Sequence, residues 1–126
     1  MNMGHLTLHV ITEEFSVCKL KDYSSINISH PFVFTGVTDE ENSLVCPTSI
    51  VPSDIIERND GWRAFRIEGV LDFSLIGILS NISVILAGKG IGIFAISTFN
   101  TDYILTKVGD FSIALEALAA EGYEIN

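Results

Sequence analysis

"GIGIFAISTFNTDYILTKV", Gly90 to Val108, is the stretch on which the reading of the chain turns. On either side it is apolar and rich in β-branched and aromatic residues, so "IGIFAIS" and "DYILTKV" read as two strands. Between them stands "STFNTD", Ser97 to Asp102, in which every side chain but that of Phe99 can hydrogen-bond. A tight hairpin is expected to use Asn-Gly or Asp-Gly. This one uses neither, and its polar cluster calls for an explanation.

Working outward, the flanks repeat one pattern. Upstream, Leu75, Ile78, Leu79, Ile82, Ile85 and Leu86 recur at spacings of three and four, the stripe of an amphipathic helix. Asp72 or Ser74 can cap it, and Gly88 and Gly90 stop it. Before that helix, "WRAFRIEGV" (residues 62–70) alternates as a strand, with Phe65 and Ile67 on one face and Arg66 and Glu68 on the other. Downstream, Asp110 is expected to cap a second helix whose buried stripe is Phe111, Ala114, Leu115 and Leu118. Gly122 ends that helix and "YEI" is a last short strand. The order is βαββαβ, which predicts an α+β, ferredoxin-like unit over 61–126.

Residues 1–58 differ in style. The runs 5–11, 15–20, 31–37 and 43–47 are short and strand-like, with the polar "TDEEN" (38–42) as a hairpin tip. "VPSDIIER" (51–58) predicts one short helical turn, with Ser53 as cap after Pro52. The expected organisation is a strand-rich half over 1–58 and a βαββαβ half over 61–126. Halves of about 60 residues are marginal alone, so a shared core is expected.

Composition narrows the functions. Of the 126 residues, 48% are apolar and 18% charged, which is enough to build a core. The net charge of −9, from 16 acidic and 7 basic residues, repels phosphate backbones and anionic lipid, so neither nucleic acid nor a membrane is expected as a partner. The run from Phe73 to Gly88 is too short to span a bilayer and reads as a core helix. The opening "MNMGHLTLHV" lacks the basic and long apolar regions of a secretory signal, so a cytoplasmic location is expected. Cys18 and Cys46 then read as buried, reduced thiols, with a disulfide as the alternative. His5 and His9 share a strand face, but with no CxxC and no HxxxH on a helix they do not make a metal site, and His30 before Pro31 reads as a turn residue. No GxSxG, GxxxxGK[ST] or HExxH motif is present. The spaced glycines of "GKGIG" (88–92) end a helix and start a strand, the wrong order for a phosphate loop. No catalytic residue, metal or cofactor is therefore expected.

From Gly77 to Ile125 the chain resembles an ACT domain, a small-molecule sensing module of amino-acid metabolism. "GWRAFRIEGVLDFSLIGILS" followed by "ISTFNTDYIL" after "GIGIF" is most similar to the CASTOR arginine sensors and to stand-alone bacterial chains with a degenerate ACT-like first half. The resemblance implies a non-catalytic regulatory or sensor module that binds an amino acid. It implies that the ligand carboxylate meets the loop and helix start at Asp72, Ile76, Gly77 and Ile78. There, free backbone N–H groups and the helix dipole suit an anion. It implies that Thr98, Phe99, Asn100, Thr101 and Asp102 form the opposite wall, where the Asp102 carboxylate can hold an ammonium or guanidinium group.

Aspartokinase-type ACT domains often carry an effector-binding Asn in the strand after the first helix. Gly92 stands at the matching place here, so the identity of the ligand does not carry across. The residues leave a plainer alternative open, in which "STFNTD" satisfies its own backbone through Asx- and ST-turns. A ligand-free module that assembles with or regulates a partner by contact is the corresponding alternative function. Trp62 reads as packing. "IGIFAIS" is apolar on both faces, so its face away from the helices needs a cover from the first half or a second chain. As ACT domains commonly join edge to edge, a homodimer is expected. The partner enzyme is unknown.

Overall fold

A computed structural model of the chain describes residues 6–68 and 77–126. The elements run β1 (Thr7–Leu20), β2 (Phe34–Val37), β3 (Asn42–Pro47), β4 (Ile55–Ile67), α1 (Ile78–Ala87), β5 (Phe94–Ser97), β6 (Asp102–Lys107), α2 (Val108–Ala120) and β7 (Glu124–Ile125). A 3-10 turn at Thr48–Ile50 follows β3. The fold is α+β, and β4-α1-β5-β6-α2-β7 reproduces the expected βαββαβ order.

The chain packs as two compact units, and β1 and β4 each lend residues to both. One unit comprises Glu13–Trp62, the other Met1–Thr12 with Arg63–Asn126. In the first, the strand order is β2-β3-β1-β4. Its antiparallel β1–β3 register sets Phe15 opposite Pro47 and Leu20 opposite Asn42. Cys18, Leu20, Ile26, Leu44 and Cys46 make its core. In the second, the order is β7-β1-β4-β6-β5. Here β1 lies between β7 and β4, an insertion that the local pattern did not announce. Thr7 and Leu8 pair in parallel with Glu124 and Ile125, and Glu68 N donates to Thr7 O on the other side at 2.8 Å.

The second unit's core follows from the helical stripe. Ile78, Ile82 and Leu86, four residues apart, are the buried positions of α1. They meet Leu8, Phe65, Ile67 and Ile104 of the strands and Phe111, Ala114 and Leu118 of α2. Leu79, Ile85 and Leu115 are half-buried against the same cluster. The helix stops at Gly90, whose φ of 72° only glycine adopts without strain. Ile91 N donates to Leu86 O and Gly90 N to Ala87 O, the paired bonds of a Schellman motif.

Several local expectations are corrected. The runs at 5–11 and 15–20 belong to a single strand through Thr12, Glu13 and Glu14, which are exposed but include no Gly or Pro to break it. The strand expected over 31–37 starts only at Phe34, because Phe32 is left-handed with φ 65°. No helical turn forms at 51–58. Ile55 already opens β4, where its β-branched Ile55-Ile56 pair suits a strand, and the 3-10 turn lies earlier. The strand at 91–97 begins at Phe94, since Ile91 closes the Schellman motif. Asp110 is not a cap. The helix begins at Val108, and the Asp110 carboxylate sits in the first turn, where the helix dipole favours it. The expected caps Asp72 and Ser74, and Leu75 of the stripe, lie outside the described residues. Among the described residues, no helix is long and apolar enough to cross a membrane.

Candidate functional site

The hexapeptide folds as a four-residue turn closed by the Ser97–Asp102 pair of the β5–β6 hairpin. Thr98 N donates to Thr101 O at 2.8 Å, and Thr98 Oγ1 donates to the same carbonyl at 2.9 Å. Thr101 N returns a longer bond to Thr98 Oγ1 at 3.4 Å. Ser97 Oγ donates to Asp102 Oδ1 at 2.6 Å. These are the bonds of a turn that satisfies itself. Asn100 is exposed, and Phe99 stands 80% exposed at the tip.

Thr101 behaves differently from Thr98. It is only 7% exposed, and its Oγ1 donates 2.7 Å to Ile67 O. That bond fastens the turn to the C-terminal end of β4, from which the chain leads on to α1. The turn is thereby held against the end of β4. No sequence signal separates Thr101 from Thr98, because which hydroxyl turns inward depends on β4, far away along the chain.

Strand alternation places the Asp102 carboxylate. Ile104 belongs to the core that α1 and α2 share, and Asp102, two residues earlier, leaves β6 on the same face. Only one of its oxygens is engaged by Ser97. Among the described residues Oδ2 accepts no hydrogen bond, and the side chain is partly exposed. Tyr103 takes the other face, where Arg66 Nη1 donates to its hydroxyl at 3.4 Å and lies 3.8 Å, through Nε, from Glu68 Oε2.

On the α1 side, Gly77 is the N-cap residue with φ 86°. It has no side chain to cap with, and no acidic residue occupies the first turn. The first N–H groups of a helix have no acceptor within it and carry partial positive charge, so the start of α1 is suited to an anion. Ile78 stands at the first position of the helix. Its side chain is in the core at 4% exposure, so it can offer a ligand only its backbone. Asp72 and Ile76 lie outside the described residues. Gly92 is exposed, with nothing near the place a Cβ would take.

Cys18 and Cys46 are free and buried in the first unit's core. Burial pushes both thiols up, Cys46 to about 12, with the neighbouring Cys18 adding to the shift. Such thiols are poor nucleophiles at neutral pH. His9 Nδ1 lies 2.9 Å from Asn126 Oδ1, and His30 Nδ1 lies 2.8 Å from the Pro31 carbonyl in a turn. Among the described residues, no three His, Cys, Asp or Glu side chains are grouped to hold a metal.

The family model for the ACT domain matches residues 57–120. None of the curated proteins matches the sequence. Among solved structures, a protein from Agobacterium tumefaciens aligns at TM-score 0.83 and 28% identity, over 96% of this chain and 92% of that one. A protein of unknown function from Vibrio cholerae aligns at 0.73 and 16% identity, over 96% and 93%. The ligand-free regulatory subunit of aspartate kinase from Thermus thermophilus aligns at 0.59 and 12% identity, over 90% and 96%. At such low identity the last two are similar in fold alone.

Proposed function

Because the chain belongs to the ACT-domain family, we propose that it is a non-catalytic regulatory module that binds a small molecule, an amino acid. The ligand lies between the start of α1 and the Asp102 end of the β5–β6 hairpin. The observation that carries this reading is the partly exposed Asp102 carboxylate, on the same sheet face as a helix start with no acidic side chain in its first turn. A cation-binding carboxylate and an anion-binding helix end are complementary to a zwitterion. In the same proposal, residues 1–58 form a degenerate ACT-like half beside an ACT domain at 61–126. The chain is, in this proposal, one of the stand-alone bacterial type related to the CASTOR arginine sensors. The chain works in the cytoplasm as a homodimer joined through β5, the last strand in the sheet order.

A thermal-shift screen against the twenty amino acids tests the ligand. Binding to the folded state raises the midpoint, by about 2.7 kcal/mol of added stability at a hundredfold excess over Kd. One or a few should raise it saturably. If none does at millimolar concentration, the reading fails. The second reading, a ligand-free module acting by contact, is favoured by one observation. The turn's hydrogen bonds are largely internal, so no ligand is needed to satisfy them.

A further inference from the structure

We infer that the groove between α1 and α2 is a docking surface for a basic amphipathic helix of a partner protein. The groove encloses about 490 Å³ on the second unit. Its walls hold the exposed apolar side chains Val84, at 67%, and Ile113, at 50%. They stand on the outward faces of two helices whose inward stripes are already satisfied by the core. Ala117 and Ala120 line it too, small enough to let another helix backbone come close.

Charge selects the occupant. Glu116 and Glu121 line the groove against one cation, Lys89. Neither helix has a basic residue in its last turn, so no side-chain charge within either helix offsets the partial negative charge of its C-terminal end. A second copy docked groove to groove would bring the same two glutamates against these, which disfavours it at this surface. A helix with Leu-type anchors at i, i+3 and i+4 and lysines along its flanks matches both the apolar walls and the field. This inference rests on the regulatory reading, which requires a protein to be regulated, but it uses a surface distinct from the amino-acid site.

The test uses a synthetic Leu/Ala/Lys amphipathic peptide of about 18 residues, long enough to form a helix face, and a scrambled peptide of the same composition. Fluorescence anisotropy against the full chain should show the amphipathic peptide binding at least about tenfold tighter than the scrambled one. Ile113→Asp should erase that difference. Glu116→Lys with Glu121→Lys should weaken binding at least about tenfold, which is more than a general loss of acidity would give the scrambled peptide. The amino-acid-induced thermal shift should be unchanged in these variants, so failure of one reading is visible apart from the other. Should Ile113→Asp not fold, Val84→Asp, at a more exposed position, takes its place. Equal binding of the two peptides overturns the inference, as does binding indifferent to these variants. So does a sedimenting dimer that Ile113→Asp converts to monomer, since the groove would then be filled by a second copy.

Discussion

Replacing Asp102 by Asn keeps an acceptor for Ser97 Oγ and removes only the charge. If the carboxylate holds a ligand cation, Asp102→Asn should weaken amino-acid binding about ten- to a hundredfold, the cost of one charge-assisted hydrogen bond. Stability of the free protein should change by no more than about 0.5 kcal/mol. A role confined to the turn would give the opposite ranking in paired calorimetric and urea experiments. Thr101→Val should be the converse variant. It strips the buried Ile67 carbonyl of its donor and should cost about 1–3 kcal/mol in a urea titration. For Cys46 the sign follows from its raised pKa. The folded state keeps the proton that the unfolded chain loses near pH 9, so this stabilisation is intact below pH 9 and lost as pH rises towards 12. Urea titrations at pH 8 and pH 10.5 should show the wild type losing more stability than Cys46→Ala. At this scale the sequence was a partial guide. It marked Asp102 and the polar cluster, but could not tell which threonine turns inward, because that depends on a neighbour from β4.

Elements with a strong internal period were the most legible. The i, i+4 stripe of α1 returned as its buried face, so Ile82→Ala should cost about 2–5 kcal/mol, and Val84→Ala, on the exposed side, far less. Equal losses at the two positions would mean that the stripe does not face the core. The misread elements failed for identifiable reasons. Pro52 and Ser53 resemble a helix start, yet the β-branched pair Ile55-Ile56 is drawn into β4 by pairing with β1, a long-range effect. Thr12, Glu13 and Glu14 look like a linker, yet the strand, paired with β7 before them and β3 after them, runs on through these exposed polar residues. Asp110 has a cap's chemistry, but the helix had already begun at Val108.

Across the whole molecule, the feature hardest to foresee is β1 between β7 and β4. It joins the first strand of the chain to the last, and no local pattern encodes that. A chain beginning at residue 60 would keep α1, β5, β6, α2, β7 and β4 from Asp60 onward, but leave β7 without the strand it pairs with, and Leu8 absent from the core. It should melt without cooperativity by circular dichroism, and a native-like transition would count against the shared-core organisation. Light scattering at micromolar concentration should give the mass of a dimer. The regulatory reading itself stands or falls on ligand. Calorimetric titration of the intact chain with each of the twenty amino acids is the most direct measurement. The expected result is saturable heat from one or a few of them, with the ligand recovered unchanged. Heats indistinguishable from dilution for all twenty at millimolar concentration would contradict it.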